Sequence, residues 1–245
     1  MKAVYDQTDE EQNEVENMTD ETLTQTITIL IPTRRRPELL RRAMMSAVGT
    51  VHNRVRVVVG WDDDREGYEY CPEYLWLHKL LFPVRHYYVR AVNTLFNYCV
   101  DNFKDFDYFV VCNDDDEFRL PGWGPSAIEA LHRQFEDGMG VMEMFAPGTL
   151  GHWISRKQFF IDNFKGRILE PCYTQYWADG ELMDTLRHMK AYCAVQHEQQ
   201  AVISHTKYGT VDALASEVRR AWWDLDAGLY HERLQEGINP RDKDK

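Results

Sequence analysis

Several things are missing from this 245-residue chain, and each absence excludes something. No apolar run approaches the ~20 residues that a membrane-crossing helix needs. The N-terminus lacks the basic-then-apolar pattern of a secretory signal. No two cysteines form a CxxC pair, and their number, five, is odd. Neither a zinc ribbon nor a disulfide framework is therefore written into Cys71, Cys99, Cys112, Cys172 and Cys193. Reduced, buried thiols in a cytoplasmic protein are the expectation. No repeat and no Gly/Ser linker divides the chain, which favours one domain with a tail. Basic residues are in deficit, 28 Lys and Arg against 40 Asp and Glu. That balance weakens any reading built on nucleic-acid binding.

The charge that is present is unevenly spread. Residues 1–25 hold eight acidic side chains against Lys2 alone, most of the formal net charge of -12. Such a leader buries little and is expected to be mobile or loosely docked. Ordered structure is expected from "TITILIPT", whose residues 26–31 suit a short buried strand. In "PELLRRAMMSAV" the residues Leu40, Ala43, Met44, Ala47 and Val48 share one helical face, and Pro37 suits the first turn. Further strands are read at 54–60, at "VRHYYV" (84–89), at "YFVVC" and at "GVMEMFA". Helices are read at "AVNTLFNYCVDNF" and "GPSAIEALHRQF". Later, "HWISRKQFFIDNF" reads as a strand entering a helix, "ADGELMDTLRHMK" as a helix, and "AYCAVQHEQQAVISH" as paired strands. A long amphipathic helix closes the chain, with Gly228 as an expected break. Strands alternating with helices imply an α/β fold: a mostly parallel sheet covered on both faces. Ligands then bind beyond the carboxyl ends of the strands.

Two such ends carry carboxylate triplets, Asp62–Asp64 in "VVVGWDDD" and Asp114–Asp116 in "VVCNDDDEF". Adjacent carboxylates repel, and a hard cation such as Mg²⁺ or Mn²⁺ relieves the repulsion while it shares itself with substrate phosphates. A solvated turn explains one such triplet equally simply. The succession "ITILIPTRRRPELLRRAMMSA", "VVVGWDDD", "DYFVVCNDDDEFRLPGW" resembles GT-A-fold, family-2-like glycosyltransferases over roughly residues 26–207. The resemblance implies a GT-A, Rossmann-like fold with residues 26–210 as catalytic domain and 211–245 as a C-terminal helical extension packed on it. It implies a hexosyl- or pentosyltransferase, metal-dependent and using a nucleotide-sugar donor, with UDP as the expected nucleotide.

Residue by residue, the resemblance places Pro32, Thr33, Arg34 and Arg36 along the nucleotide. One of Asp62, Asp63 and Asp64 accepts from the base edge. Asp114 approaches the ribose, and Arg90, Asn113 and Asp115 join the donor side. Asp116 holds Mn²⁺ or Mg²⁺, helped by Asp114 and by His205 from "VISHTKYG", with Lys207 facing the diphosphate. The base of an inverting transfer must take the acceptor hydroxyl proton. In "WADGELMDTLRH" both Asp179 and Glu181 are candidates: spacing to Arg187 favours Glu181, position at the helix start favours Asp179. Trp153, Tyr176 and Trp177 flank that stretch as stacking surfaces or as core; Trp222 and Trp223 read as core.

A nucleotidyltransferase is the alternative enzyme, but it usually opens with a Gly-rich loop and "IPTRRRPELL" contains no glycine. A non-catalytic nucleotide-sugar-binding protein needs no base. The acceptor is left open among glycan, protein and hydroxymethylated DNA such as phages carry. For DNA, Arg34, Arg35, Arg41, Arg42, Arg54 and Arg56 are the expected phosphate edge.

Overall fold

The computed structural model describes residues 24–144, 151–194, 203–205 and 213–237. Most of the acidic leader and Lys207 lie outside the described residues. At the centre is strand β1 (Thr26–Thr33). Its Ile27, Ile29 and Ile31 enter one hydrophobic layer and Leu30 the other, all without exposed surface. A strand's side chains alternate between faces, so a strand covered on both sides must be apolar throughout. β1 lies parallel to β2 (Arg54–Asp62) on one side and β4 (Tyr108–Val111) on the other, and β2 is parallel to β3 (Leu77–Phe82). β7 (Trp153–Arg156) runs antiparallel between β4 and β6 (Val141–Glu143), and β8 (Tyr192–Ala194) is parallel to β6. The sheet order is β3-β2-β1-β4-β7-β6-β8. A separate two-stranded sheet joins β5 (Asp116–Phe118) to β9 (Ile203–His205).

Helices α1 (Pro37–Thr50) and α4 (Trp123–Gln134) cover one face. Helices α3 (Tyr87–Asn102), α5 (Lys157–Phe164) and α6 (Ala178–His188) cover the other. A short helix, α2 (Arg65–Tyr70), follows β2, and α7 (Ala213–Gln235) closes the described chain. The expected α/β architecture with a mostly parallel, helix-flanked sheet is therefore present. Among the described residues no helix is long and apolar enough to cross a membrane.

Some local expectations fail. The third strand is Leu77–Phe82, and 84–89 is a turn running into α3. Pro83 ends the strand because it brings no N–H to a ladder. The helix then starts early because Asp62 accepts the backbone N–H groups of His86 and Tyr87, donors that a helix start leaves without intrahelical partners. "AYCAVQHEQQAVISH" does contain two strands, but they pair with β6 and β5 rather than with each other. α7 runs unbroken through Gly228. Cys71, Cys99 and Cys112 are buried thiols as expected, whereas Cys172 is exposed. Gly60 is required by close approach: a Cβ there would meet the Phe82 ring at 2.6 Å. Its absence lets β2 pass Phe82 just before the first carboxylate triplet.

Candidate active site

Because β1 has β2 on one side and β4 on the other, the connections leaving their carboxyl ends diverge and leave a crevice. A cavity of about 360 Å³ opens there. Pro32, Thr33, Arg34 and Arg36 reach it from the end of β1, and Asp62 from the end of β2. Arg85, Tyr87, Tyr88 and Ala91 line it around the start of α3. Asn113, Asp114 and Asp115 follow from β4, and Gln175 and Tyr176 come from the segment before α6. All seven donor-side residues expected between 32 and 36 and between 113 and 115 are thus gathered in one place, from segments some eighty residues apart.

Asp114 is the hub of that wall. It accepts a hydrogen bond from Thr33 Oγ1 at 2.7 Å and another from Arg36 Nη1 at 3.0 Å. The same guanidinium nitrogen lies 3.7 Å from Asp115 Oδ2. Burial pushes the Asp114 carboxyl up to about 6, against the pull of Arg36 and with the repulsion of Asp115 added. Arg36 therefore supplies the positive charge that makes two adjacent carboxylates tolerable at the end of a buried strand.

The first triplet is mostly architectural. Asp62 lines the cleft, but both of its oxygens accept backbone N–H groups, from His86 and from Tyr87. Asp64 caps α2 through the Gly67 N–H at 3.1 Å and accepts the Arg35 N–H at 2.6 Å. Asp63 is exposed, in a left-handed backbone conformation with φ 52°. Two aspartates are thus buried because each closes a turn with its side chain. Of the three, Asp62 alone reaches the cleft.

Asp116, the expected metal ligand, has no exposed surface. Its Oδ2 accepts the Asn113 N–H at 2.6 Å and lies 2.8 Å from His152 Nδ1. The expected His205 stands directly opposite Asp116 in the β5–β9 register. Among the described residues no group of three or more His, Cys, Asp or Glu is placed to hold a metal ion. Among the expected ligands, Asp114 is engaged by Thr33 and Arg36, and Asp116 is enclosed.

The two candidate bases differ sharply. Glu181 is buried and accepts from Tyr173 Oη at 2.6 Å and from Arg233 Nε and Nη2. Those bonds hold the Arg233 guanidinium above its ordinary range. Asp179 is half-buried, and among the described residues its Oδ1 accepts the neighbouring Gly180 N–H, at 3.0 Å. Burial raises its pKa, Glu143 adds to the rise, and its backbone hydrogen bonds and His152 oppose it. Tyr88, on the cleft wall, feels the fields of Asp179 and Asp116 together. Of the two, Asp179, nearer the helix start, is the carboxylate without a side-chain partner among the described residues.

No protein-family model matches the chain, and no curated protein matches it. α7 latches the segment that leads to Asp179. Asp226, buried on α7, accepts the N–H groups of Thr174, Gln175 and Tyr176 at 3.2, 2.9 and 2.8 Å. Tyr230 Oη donates to Asp184 at 2.6 Å. Trp222 and Trp223 are not core. Trp222 meets the cleft residue Tyr87 edge-on, and Trp223 meets Tyr176 and Trp177. Trp153, by contrast, is core, stacked on Phe160.

Other expected residues stand elsewhere. Arg90 is on the exposed side of α3 and does not line the cleft. Arg54 and Arg56 sit at the start of β2, eight and six residues from Asp62 and so roughly 20–26 Å away along the strand, and Arg56 pairs with Asp105 at 2.9 Å. The six arginines therefore do not form one edge. Reading the sequence missed Arg85, Tyr87, Tyr88, His152, Gln175, Asp226 and Arg233. Pro83 was the available signal for the first three, since it ends β3 just before 84–89. The others carry no local pattern; only the tertiary fold brings them in.

Proposed function

We propose that the chain is a nucleotide-sugar-dependent glycosyltransferase with a GT-A-like fold. One observation carries the reading. The cleft at the carboxyl ends of β1, β2 and β4 is built around the Thr33–Asp114–Arg36 hub, and the segment from Gln175 to Asp179 runs from its wall to an uncommitted, pKa-raised carboxylate. In this reading the nucleoside diphosphate, UDP by expectation, lies in the cleft with its base toward Asp62 and its ribose toward Asp114. Pro32 and the Tyr87–Tyr88 pair bound the nucleotide and keep water from it.

Asp179 acts as general base. It takes the proton of the acceptor hydroxyl as the acceptor oxygen bonds to the anomeric carbon and the bond from that carbon to the diphosphate oxygen breaks. A carboxyl raised by burial suits the task, because its basicity lies nearer neutral pH. Glu181, held by Arg233 and Tyr173, orients α6. The acceptor is a glycan or protein hydroxyl, since the arginines expected to follow DNA phosphates are spread over the end of β1, helix α1 and the start of β2.

Calorimetry of the full chain with UDP, GDP, CDP and their sugars tests this. Saturable binding of one nucleotide series is expected, weakened at least ~10-fold by Thr33→Val together with Asp114→Asn. Folded protein that binds none of them would remove the donor assignment.

A further inference from the structure

Arg34 and Arg85 line the same cleft wall, yet neither side chain forms a hydrogen bond or an ion pair with any described residue. Both Nε atoms are buried and unpartnered. Arg85 lies over the Tyr87 ring, 4.3 Å from its centroid. Burial lowers the Arg34 pKa, and the nearby charges of Arg85 and Arg35 lower it further, against the smaller pull of Asp62 and Asp63. Two guanidiniums close enough to repel, half-enclosed and without acceptors, are an unusual expense in a protein with an acidic excess.

The obvious compensations are already used. Asp62, the nearest cleft carboxylate, gives its oxygens to His86 and Tyr87 N–H groups. Arg36 is committed to Asp114 and cannot relieve the pair by moving away with it. The start of α3, otherwise a natural anion seat, is closed: Tyr88 N–H goes to Gln175 Oε1 at 3.0 Å and Val89 N–H to Thr174 O at 3.3 Å. An anion entering the cleft would thus find the two free guanidinium forks, not the helix. Each fork presents several N–H donors in one plane and matches a tetrahedral oxyanion bidentately.

We propose that Arg34 and Arg85 form a phosphoryl-binding clamp that holds a phosphate of the donor nucleotide directly, without a metal ion. The site follows from the two arginines themselves; that its phosphate belongs to a nucleotide sugar rests on the function proposed above. The clamp also accounts for how a cleft whose described residues offer no cation-ligand set can take a diphosphate.

The test is calorimetry of the full-length protein with inorganic pyrophosphate in buffer containing EDTA. Wild type is expected to bind. Arg34→Ala and Arg85→Ala should each bind at least ~10-fold more weakly, as expected for loss of a charge-assisted bidentate contact. Arg85→Lys should recover part of the loss, and Arg133→Ala, on the exposed face of α4, should bind as wild type does. Thermal melts of each variant check that the fold persists. Pyrophosphate binding only when Mn²⁺ is added, or unchanged binding by both alanine variants, would overturn the clamp. Arginine-dependent pyrophosphate binding with no response to UDP, GDP or CDP would uphold it and remove the nucleotide reading instead.

Discussion

Glu181 and Arg233 join α6 to α7 through two hydrogen bonds, with side-chain exposures of only 7% and 15%. That pair explains why two nearby carboxylates have different roles. A glutamate locked to a guanidinium and to Tyr173 cannot turn toward an acceptor, whereas Asp179 keeps oxygen lone pairs free. Breaking a buried pair leaves one charge uncompensated and typically costs ~3–5 kcal/mol. Glu181→Gln should therefore lower stability by an amount of that order in urea unfolding, with donor binding retained in the folded fraction. Asp179→Asn should change stability by no more than ~1 kcal/mol. Equal destabilisation by both would show that Asp179 is structural too.

Asp226 holds the segment that supplies Gln175 and Tyr176 to the cleft. Asp226→Asn loses acceptor capacity for three backbone N–H groups and leaves at least one of them wanting, at ~1–3 kcal/mol. Hydrogen exchange of residues 174–176 should speed up markedly, while amides of β1 and β4 keep their protection. Unchanged exchange at 174–176 would mean that α7 does not latch this segment.

Asp114 gives a pH signature. Its folded pKa, about 6, lies above the ordinary aspartate value of 3.8, so the folded state holds the proton more tightly. Its contribution favours folding at low pH and is lost as pH rises from roughly 4 to 6, then stays level. The melting temperature of Asp114→Asn minus that of wild type should accordingly climb across that window and flatten above it. A difference that is constant from pH 4 to pH 7 would show that the carboxyl titrates normally.

Much of the sheet was legible because its signals are local. Ile27 to Ile31 and Tyr108 to Val111 are short apolar runs of strand length, and Pro37 marks the start of α1. That Thr33 and Asp114 share one cleft was suggested only by the resemblance to a glycosyltransferase family, and their hydrogen bond was not legible at all, since nothing in either segment specifies the other. What misled was periodicity without capping. "VRHYYV" has strand-like composition, but a carboxylate twenty-five residues earlier, Asp62, recruits Tyr87 to a helix start. The triplet at 62–64 looked like one ligand cluster because adjacency in sequence says nothing about which turn each side chain closes. Glu181 and Asp179 were inseparable for the same reason: Arg233 lies fifty-two residues away on another helix.

The most direct measurement is release of nucleoside diphosphate from nucleotide sugars, followed for wild type and for Asp179→Asn over a range of pH. With a donor that binds, wild type should turn over, faster with acceptor present. Its rate should rise with pH through a midpoint above the ordinary carboxylate range, because the base must be deprotonated and burial raises its pKa. Asp179→Asn should bind the same donor with similar affinity and lose at least ~100-fold in rate, as removal of a general base does. Wild-type turnover by Asp179→Asn, or no release from any nucleotide sugar by folded wild type that binds the nucleotide, would contradict catalysis at this cleft.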